Sequence, residues 1–348
     1  MSIIPKRLKP DCLVIGGGVI GMTTARELAM RGLSVTLFDK GEMGKEASLA
    51  AGGILSSMRP WSENPGSLAL SNQGKACYAE FVAELKQQTG IDAEYYRSGL
   101  LMINQGDVDQ TRQWATQNQI TFSENTKNHP ADMNIPAQSV FLPDIAQVRV
   151  PYLLKALLAS LRELKVTILE NSPITALSSI DGKCEFVMVG QEKIYADNII
   201  VTAGAWSEQA LGSNNDDIKI KPVLGQMLCV KFVEQALETM VLDGGYYLIP
   251  RLDGHVLVGS TIEDVGFNQA TTPAARDNLM QWASALWPEI AEAEFVSHWS
   301  GLRPATENGE PYIGKLSAYE NVYINAGHFR KGILQAPASA RKIADMIC

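Results

Sequence analysis

Gly16, Gly18 and Gly21 are spaced as Gly-x-Gly-x-x-Gly, and Asp39 follows 18 positions after the last of them. Glycines so spaced, with a later carboxylate, can hold a dinucleotide. The first permits a tight turn, the second lets backbone N–H groups approach a pyrophosphate, and the third lets a helix lie close on a strand. The acid is placed to accept ribose hydroxyls. Glycine-rich turns also arise for purely structural reasons, so the flanking elements decide. Cys12-Leu13-Val14-Ile15 reads as a buried strand leading in. Met22, Ala25, Leu28 and Ala29 recur at helical spacing and run out to Arg31-Gly32, and Leu33 to Phe38 reads as a second strand with Asp39 at its tip. Together they make a complete βαβ unit, whose helix N-terminus offers partial positive charge to phosphates. The spacing does not choose between NAD and FAD.

The chain must then supply the rest of the cofactor site and a place for a substrate. Its 348 residues suffice for two domains or intertwined lobes, and 46% apolar with 20% charged residues is ordinary for a globular protein. A net charge of −8 opposes a nucleic-acid surface, which needs a basic stripe, so no nucleic-acid partner is expected. Cys12, Cys77, Cys184, Cys229 and Cys348 are scattered, without Cys-x-x-Cys or a histidine at ligand spacing. Free thiols in a reducing compartment, and no metal, are expected. Lys6, Arg7 and Lys9 precede an apolar run that dissolves into the glycine turn before it could serve as a signal peptide. No stretch reaches the length of a membrane span, and a cytoplasmic location is the default expectation.

Beyond Asp39, residues 41–55 read as a loop with a run of small residues, where backbone could approach a flat ligand or another helix. Helices are expected over 66–90, 107–119, from Pro151, over 273–287 and over 333–347, with a loop-rich stretch at 120–140. Leu153, Leu154, Leu157, Leu158, Leu161 and Leu164 share one face of the Pro151 helix, and Val166 to Leu169 follow as a strand. Residues 172–202 read as a β-meander whose last strand, Asn198 to Thr202, enters Ala203-Gly204-Ala205-Trp206. Residues 219–300 are strand-rich, and Gly301-Leu302-Arg303-Pro304 reads as a loop. The fold class is α/β, with a discontinuous nucleotide domain (1–85, 142–218 and 299–348) and an inserted sheet-rich α+β substrate domain (86–141 and 219–298).

Three segments carry a resemblance. Ile199 to Trp206 looks like the second flavoprotein motif, a hydrophobic strand running into Thr-Ala-Gly. Gly301 to Gly314 resembles the arginine segment of the D-amino-acid oxidase superfamily of FAD-dependent oxidoreductases. Gly327-His328-Phe329-Arg330-Lys331-Gly332 and the residues to Pro337, with Pro222 to Met227, resemble the glycine oxidase branch of the thiamine pathway. The resemblance implies an FAD-binding, Rossmann-like domain of glutathione-reductase type. It implies that FAD lies across Val19 and Ile20, with its ribose on Asp39 and Lys40. Ala47, Ser48, Gly52, Gly53 and Ile54 would line the pyrophosphate and ring, and Ile174 would reach the adenine end. His328, Phe329, Arg330, Lys331, Gly332, Ile333 and Leu334 would wrap the isoalloxazine. Arg303 would pair the substrate carboxylate, with Tyr247 and the second arginine, Arg330, as the other active-site residues. Residues 301–314 contain no cysteine of the kind that tethers flavin in some sarcosine-oxidase relatives, so FAD is expected to be noncovalent. Ile54 and Ile262 stand where the branch is associated with methionines lining the substrate cavity, which bears on substrate range.

A planar guanidinium holds a carboxylate through two parallel hydrogen bonds, and a fixed carboxylate aims the Cα–H of an amino acid at the flavin. Flavin takes the hydride, so neither a metal nor a protein nucleophile is needed. Alternation along Tyr246-Tyr247 puts the two rings on opposite faces, so only one can face a ligand. Pro304 holds Arg303 extended. The reaction that the resemblance implies is oxidation of glycine, and of sarcosine or small D-amino acids, to a 2-oxo acid, ammonia or amine, and hydrogen peroxide, with dioxygen as acceptor. The alternatives are a D-amino-acid dehydrogenase with a quinone acceptor, a sarcosine-oxidase-like amine oxidase, a nicotinamide dehydrogenase, and a flavin domain of an RNA-modifying assembly. The branch also suggests a homo-oligomer.

Overall fold

A computed structural model describes residues 9–124, 129–212, 217–234 and 236–348; Lys6 and Arg7 lie outside them. The βαβ unit forms as its apolar pattern requires. Cys12–Ile15 and Val35–Phe38 are parallel neighbours, joined through the helix Val19–Met30. Four more strands complete a six-stranded sheet in the order Tyr312–Lys315, Val322–Ala326, Asn198–Val201, Cys12–Ile15, Val35–Phe38, Thr167–Leu169. All are parallel except the edge strand Tyr312–Lys315. Because neighbouring side chains on a strand point to opposite faces, Cys12 and Val14 enter one core and Leu13 and Ile15 another. On the first face lie the helices Val19–Met30, Pro65–Thr89, Val150–Glu163 and Gly332–Ile347, packed on one another. On the second lies the meander Ile174–Ile180, Lys183–Val189, Glu192–Ile194. Burial on both faces is why these parallel strands read as continuous apolar runs.

An eight-stranded sheet runs in the order Glu294–Thr306, Ile220–Lys231, His255–Gly259, Tyr246–Pro250, Met240–Asp243, Leu100–Met102, Val140–Leu142, Ser123–Glu124. The helix Pro273–Leu286 covers one face, where Leu279, Ala283 and Trp287 meet Leu228, Leu248 and Val258. The expected domain limits at 85/86, 141/142 and 298/299 fall inside the helix Pro65–Thr89 and the strands Val140–Leu142 and Glu294–Thr306.

Arg303 and Pro304 are not in a loop. They belong to the strand Glu294–Thr306, with Val223 opposite Arg303 and Pro222 opposite Pro304. Proline lacks a donor for a second neighbour, but this strand is the edge of its sheet, where only one side is paired. Pro304 therefore argues for an edge, which the loop reading overlooked. Elsewhere the expected helices form within a few residues, as Pro65–Thr89, Gln105–Gln117, Val150–Glu163, Pro273–Leu286 and Gly332–Ile347. No helix among the described residues is long and apolar enough to cross a membrane.

Candidate active site

One cavity of ≈ 320 Å³ runs between the two sheets, from the glycine turn to the arginine strand. At one end Gly16 has φ +110°, which only glycine adopts freely, and a Cβ there would lie 2.5 Å from the Thr202 carbonyl oxygen. A Cβ on Gly21 would lie 1.8 Å from the Gly16 carbonyl oxygen, so its absence lets helix and strand meet. Gly21 does not line the cavity, and its part is packing. Gly18 caps the helix Val19–Met30 without a side chain of its own, and the Val19 N–H donates instead to Ser48 Oγ at 2.9 Å. Asp39 accepts from the Gly17 and Gly41 N–H groups at 2.6 and 2.8 Å, which stiffens the turn beside the cavity. Lys40 Nζ sits 3.2 Å from the Trp206 ring centroid and 3.2 Å from Glu46 Oε1.

Gly16, Gly18, Val19, Ile20, Asp39, Lys40, Ala47 and Ser48 line this end, and Ile174 lines it from the start of the meander. The middle is bounded by Gly52, Gly53 and Ile54, whose backbone is held from behind. Arg251 is buried, and its Nη2 donates to the Gly52 carbonyl at 2.7 Å while Nη1 donates to Gln147 Oε1 at 2.6 Å and Val148 O at 3.1 Å. Burial pushes its pKa down to about 10, so it remains a cation at neutral pH.

The far end carries the arginines. Arg303 Nη1 donates to Thr261 O at 3.0 Å and Leu224 O at 3.3 Å, and Nη2 donates to Ser260 Oγ at 2.8 Å. Burial lowers its pKa, the neighbouring Tyr247 opposes that shift and Arg330 adds to it. Tyr247 faces the cavity with its hydroxyl 3.5 Å from Met227 Sδ, while Tyr246 stacks on Trp282 on the other face. The Phe329 N–H donates to Pro304 O at 2.9 Å, which brings the 327–333 segment against the arginine strand. His328, Phe329, Arg330, Gly332 and Ile333 line the cavity there. Burial first, then Lys331, pushes His328 down to about 3, so its ring is neutral.

Three expected positions fall elsewhere. Lys331 turns away to pair Glu63 Oε2 at 3.2 Å and Ser67 Oγ at 2.5 Å. Leu334 is buried in the helix layer, where its carbonyl would meet a Cβ on Gly74. A helix that starts at Gly332 presents only its first turn to a ligand, so residues beyond Ile333 rotate into the core. Ile54 lines the cavity, whereas Ile262 is 58% exposed and outside it. The sequence reading also missed a residue. A Cβ on Gly225 would lie 2.0 Å from Arg303 Nη2 and 2.2 Å from its Cζ. Gly225 opposite Gly301 is the signal: two facing glycines in paired strands open a slot beside a guanidinium.

The cavity residues fit a flavin dinucleotide. A left-handed glycine and a helix N-terminus stand at one end. Among the residues lining the cavity, Asn325 Oδ1, His328 Nε2 and Arg330 Nη2 are buried without a hydrogen-bond partner, as expected of groups that meet a ligand. The model of the DAO family, FAD dependent oxidoreductase, matches residues 11–346. The chain belongs to that family. The choice between dinucleotides is thereby decided, and its cofactor is FAD. Similar members are the glycine oxidase of Pseudomonas aeruginosa, 36% identical over 96% of this chain and 94% of that one, and the glycine oxidase of Bacillus subtilis, 28% identical over 97% and 92%. Among solved structures, glycine oxidase from Bacillus cereus superposes with a TM-score of 0.91 at 27% identity, covering 97% of this chain and 95% of that one. This FAD-dependent oxidoreductase is thus like those enzymes across essentially its whole length.

Proposed function

We propose that the protein oxidises glycine, and with it sarcosine and small D-amino acids, converting glycine, dioxygen and water to glyoxylate, ammonia and hydrogen peroxide. The observation that supports this most is the pair of guanidiniums, Arg303 and Arg330, in the same cavity as the dinucleotide turn. The carboxylates lining that cavity are Asp39 and Glu46, and both are engaged at the opposite end. An anion is therefore the natural occupant of the arginine end.

Gly16, Gly18, Val19, Ser48 and Asp39 would hold the dinucleotide half of FAD, and Gly52, Gly53, Ile54, His328, Phe329 and Ile333 its ring. No lining residue is a cysteine, which supports noncovalent binding. FAD held there would supply the hydride acceptor and the redox link to dioxygen. The chain supplies position and charge. Arg303, already fixed by Thr261, Leu224 and Ser260, donates to the substrate carboxylate, so little side-chain entropy is lost on binding. Tyr247 closes one side of the carboxylate site, and Arg330 lines the same cavity with its buried Nη2 left unpartnered. Two cations favour the zwitterion's loss of its ammonium proton to water, leaving the neutral amine from which a hydride can depart. The N-terminus of the helix Gly332–Ile347 meets the cavity through Gly332 and Ile333, and its partial positive charge would favour an anionic group bound beside it.

The test is anaerobic addition of glycine to the yellow holoprotein, then air. Bleaching, followed by one peroxide and one ammonia per glycine consumed, is expected. Arg303→Ala should keep FAD and lose roughly two or more orders of magnitude in kcat/KM for every amino-acid substrate. Bleaching without peroxide would favour the quinone-linked dehydrogenase, and no bleaching by any small amino acid would defeat the proposal.

A further inference from the structure

Met58 and Tyr247 line the cavity from separate parts of the chain and pack in one cluster with Ile54, Met227 and Ile249. Met58 follows the strand Ile54–Leu55, whereas Tyr247 is on the hairpin formed by Met240–Asp243 and Tyr246–Pro250. Nothing in the local sequence ties one to the other, but the residue after Met58 reaches the same hairpin. Arg59 Nε and Nη2 donate to Asp107 Oδ1 and Oδ2, both at 2.7 Å, and Nη2 also donates to the Gly244 carbonyl at 2.6 Å. Gly244, with φ +57°, is in the turn of the Tyr247 hairpin. Asp107 is in the first turn of the helix Gln105–Gln117 and is largely buried. The same turn is held again through Asp243, which accepts from Trp282 Nε1 at 2.9 Å and Asn104 Nδ2 at 3.3 Å. A planar, forked donor can serve Asp107 and Gly244 together; a lysine ammonium cannot reproduce that geometry.

We propose that Arg59 is a positioning residue whose fork onto Asp107 and Gly244 sets the spacing of Met58 from Tyr247. It thereby sets how large a substituent the substrate carries on its nitrogen or α-carbon. The proposal rests on the amino-acid oxidase reading above. A purely structural ion pair would depress all substrates together when broken. A spacing device changes their ranking, because substituent size, and not the carboxylate or the reacting Cα–H, meets the Met58 wall.

The experiment compares Asp107→Asn and Arg59→Lys with the wild-type holoprotein on glycine, sarcosine, N-ethylglycine and D-alanine. Bound FAD per chain is measured in each. Discrimination by a methylene in a pocket is worth about 10- to 200-fold, so the N-ethylglycine to glycine ratio of kcat/KM should rise about tenfold, through KM, with glycine itself altered by less than about threefold. Asp107→Glu, which keeps a carboxylate, should return part of the ratio. Parallel changes for all four amines, or no change in any, overturn the proposal. If the wild type oxidises none of them, the reading of the reaction fails while the spacing device is still tested. Perturbation of the flavin spectrum by acetate, propionate and butyrate then reports the size limit, and an unchanged ranking in both variants overturns it.

Discussion

Gly225→Ala should disable the carboxylate site without replacing a residue that contacts substrate. Gly225 lies within the paired strand Ile220–Lys231, opposite Gly301, and its φ is not positive, so alanine suits the backbone. The added Cβ would meet the Arg303 guanidinium at 2.0–2.2 Å, far inside contact distance. The guanidinium is the far end of a flexible side chain, so it is what moves. Moving costs it the bonds to Thr261, Leu224 and Ser260 and its aim at the substrate. Overpacking costs about 1–3 kcal/mol, offset by about 0.4–1 kcal/mol from removing a glycine, so the protein should stay folded. A buried ion pair that loses its partner costs roughly 3–5 kcal/mol, and 1.4 kcal/mol is a factor of ten. A displaced rather than deleted arginine should therefore lower kcat/KM for glycine by about 10²-fold. The assay is peroxide release over a range of glycine concentrations, with visible absorbance to count bound FAD. A yellow variant within about threefold of wild type would show that the slot beside Gly225 does not set the arginine's aim.

Other outcomes are expected. Tyr247→Phe keeps the ring and its packing on Met227 and Ile249, so kcat/KM should fall by about tenfold or less; an FAD-replete but inactive variant would give the hydroxyl a larger part. Arg251→Met leaves the Gly52, Val148 and Gln147 oxygens without their donor, which should cost about 2–4 kcal/mol and loosen FAD; unchanged Tm and FAD content would refute this. His328 is neutral when folded, with a pKa of about 3 against an ordinary 6.5, so the unfolded chain binds the extra proton between those values. Its contribution is complete above pH 6.5 and is lost as pH falls toward 3, at up to about 1.4 kcal/mol per pH unit. In His328→Asn the decline of urea midpoint from pH 7 to pH 4.5 should be shallower, and an unchanged slope would dismiss the histidine as its source.

The sequence by itself determined the parts whose physics is local. The glycine spacing fixed a turn because Gly16 must take a positive φ, and the apolar runs fixed strands buried on both faces. Alternation settled that Tyr246 and Tyr247 face opposite ways. Proline beside Arg303 was legible too, but whether it marked a loop or a sheet edge depended on which strand pairs with it, and Pro222, opposite Pro304, lies 82 residues earlier. Tertiary structure alone decided what lies across the cavity. Gly225 makes room for a guanidinium on a neighbouring strand, Arg251 holds the Gly52 carbonyl, and Arg59 reaches the Tyr247 hairpin. It also turned Lys331 and Leu334 away, since the helix that begins at Gly332 shows a ligand only its first turn. Steric exclusion and hydrogen-bond partnership act between atoms close in space, and residues far apart in sequence become neighbours only when the two sheets have closed on one cavity.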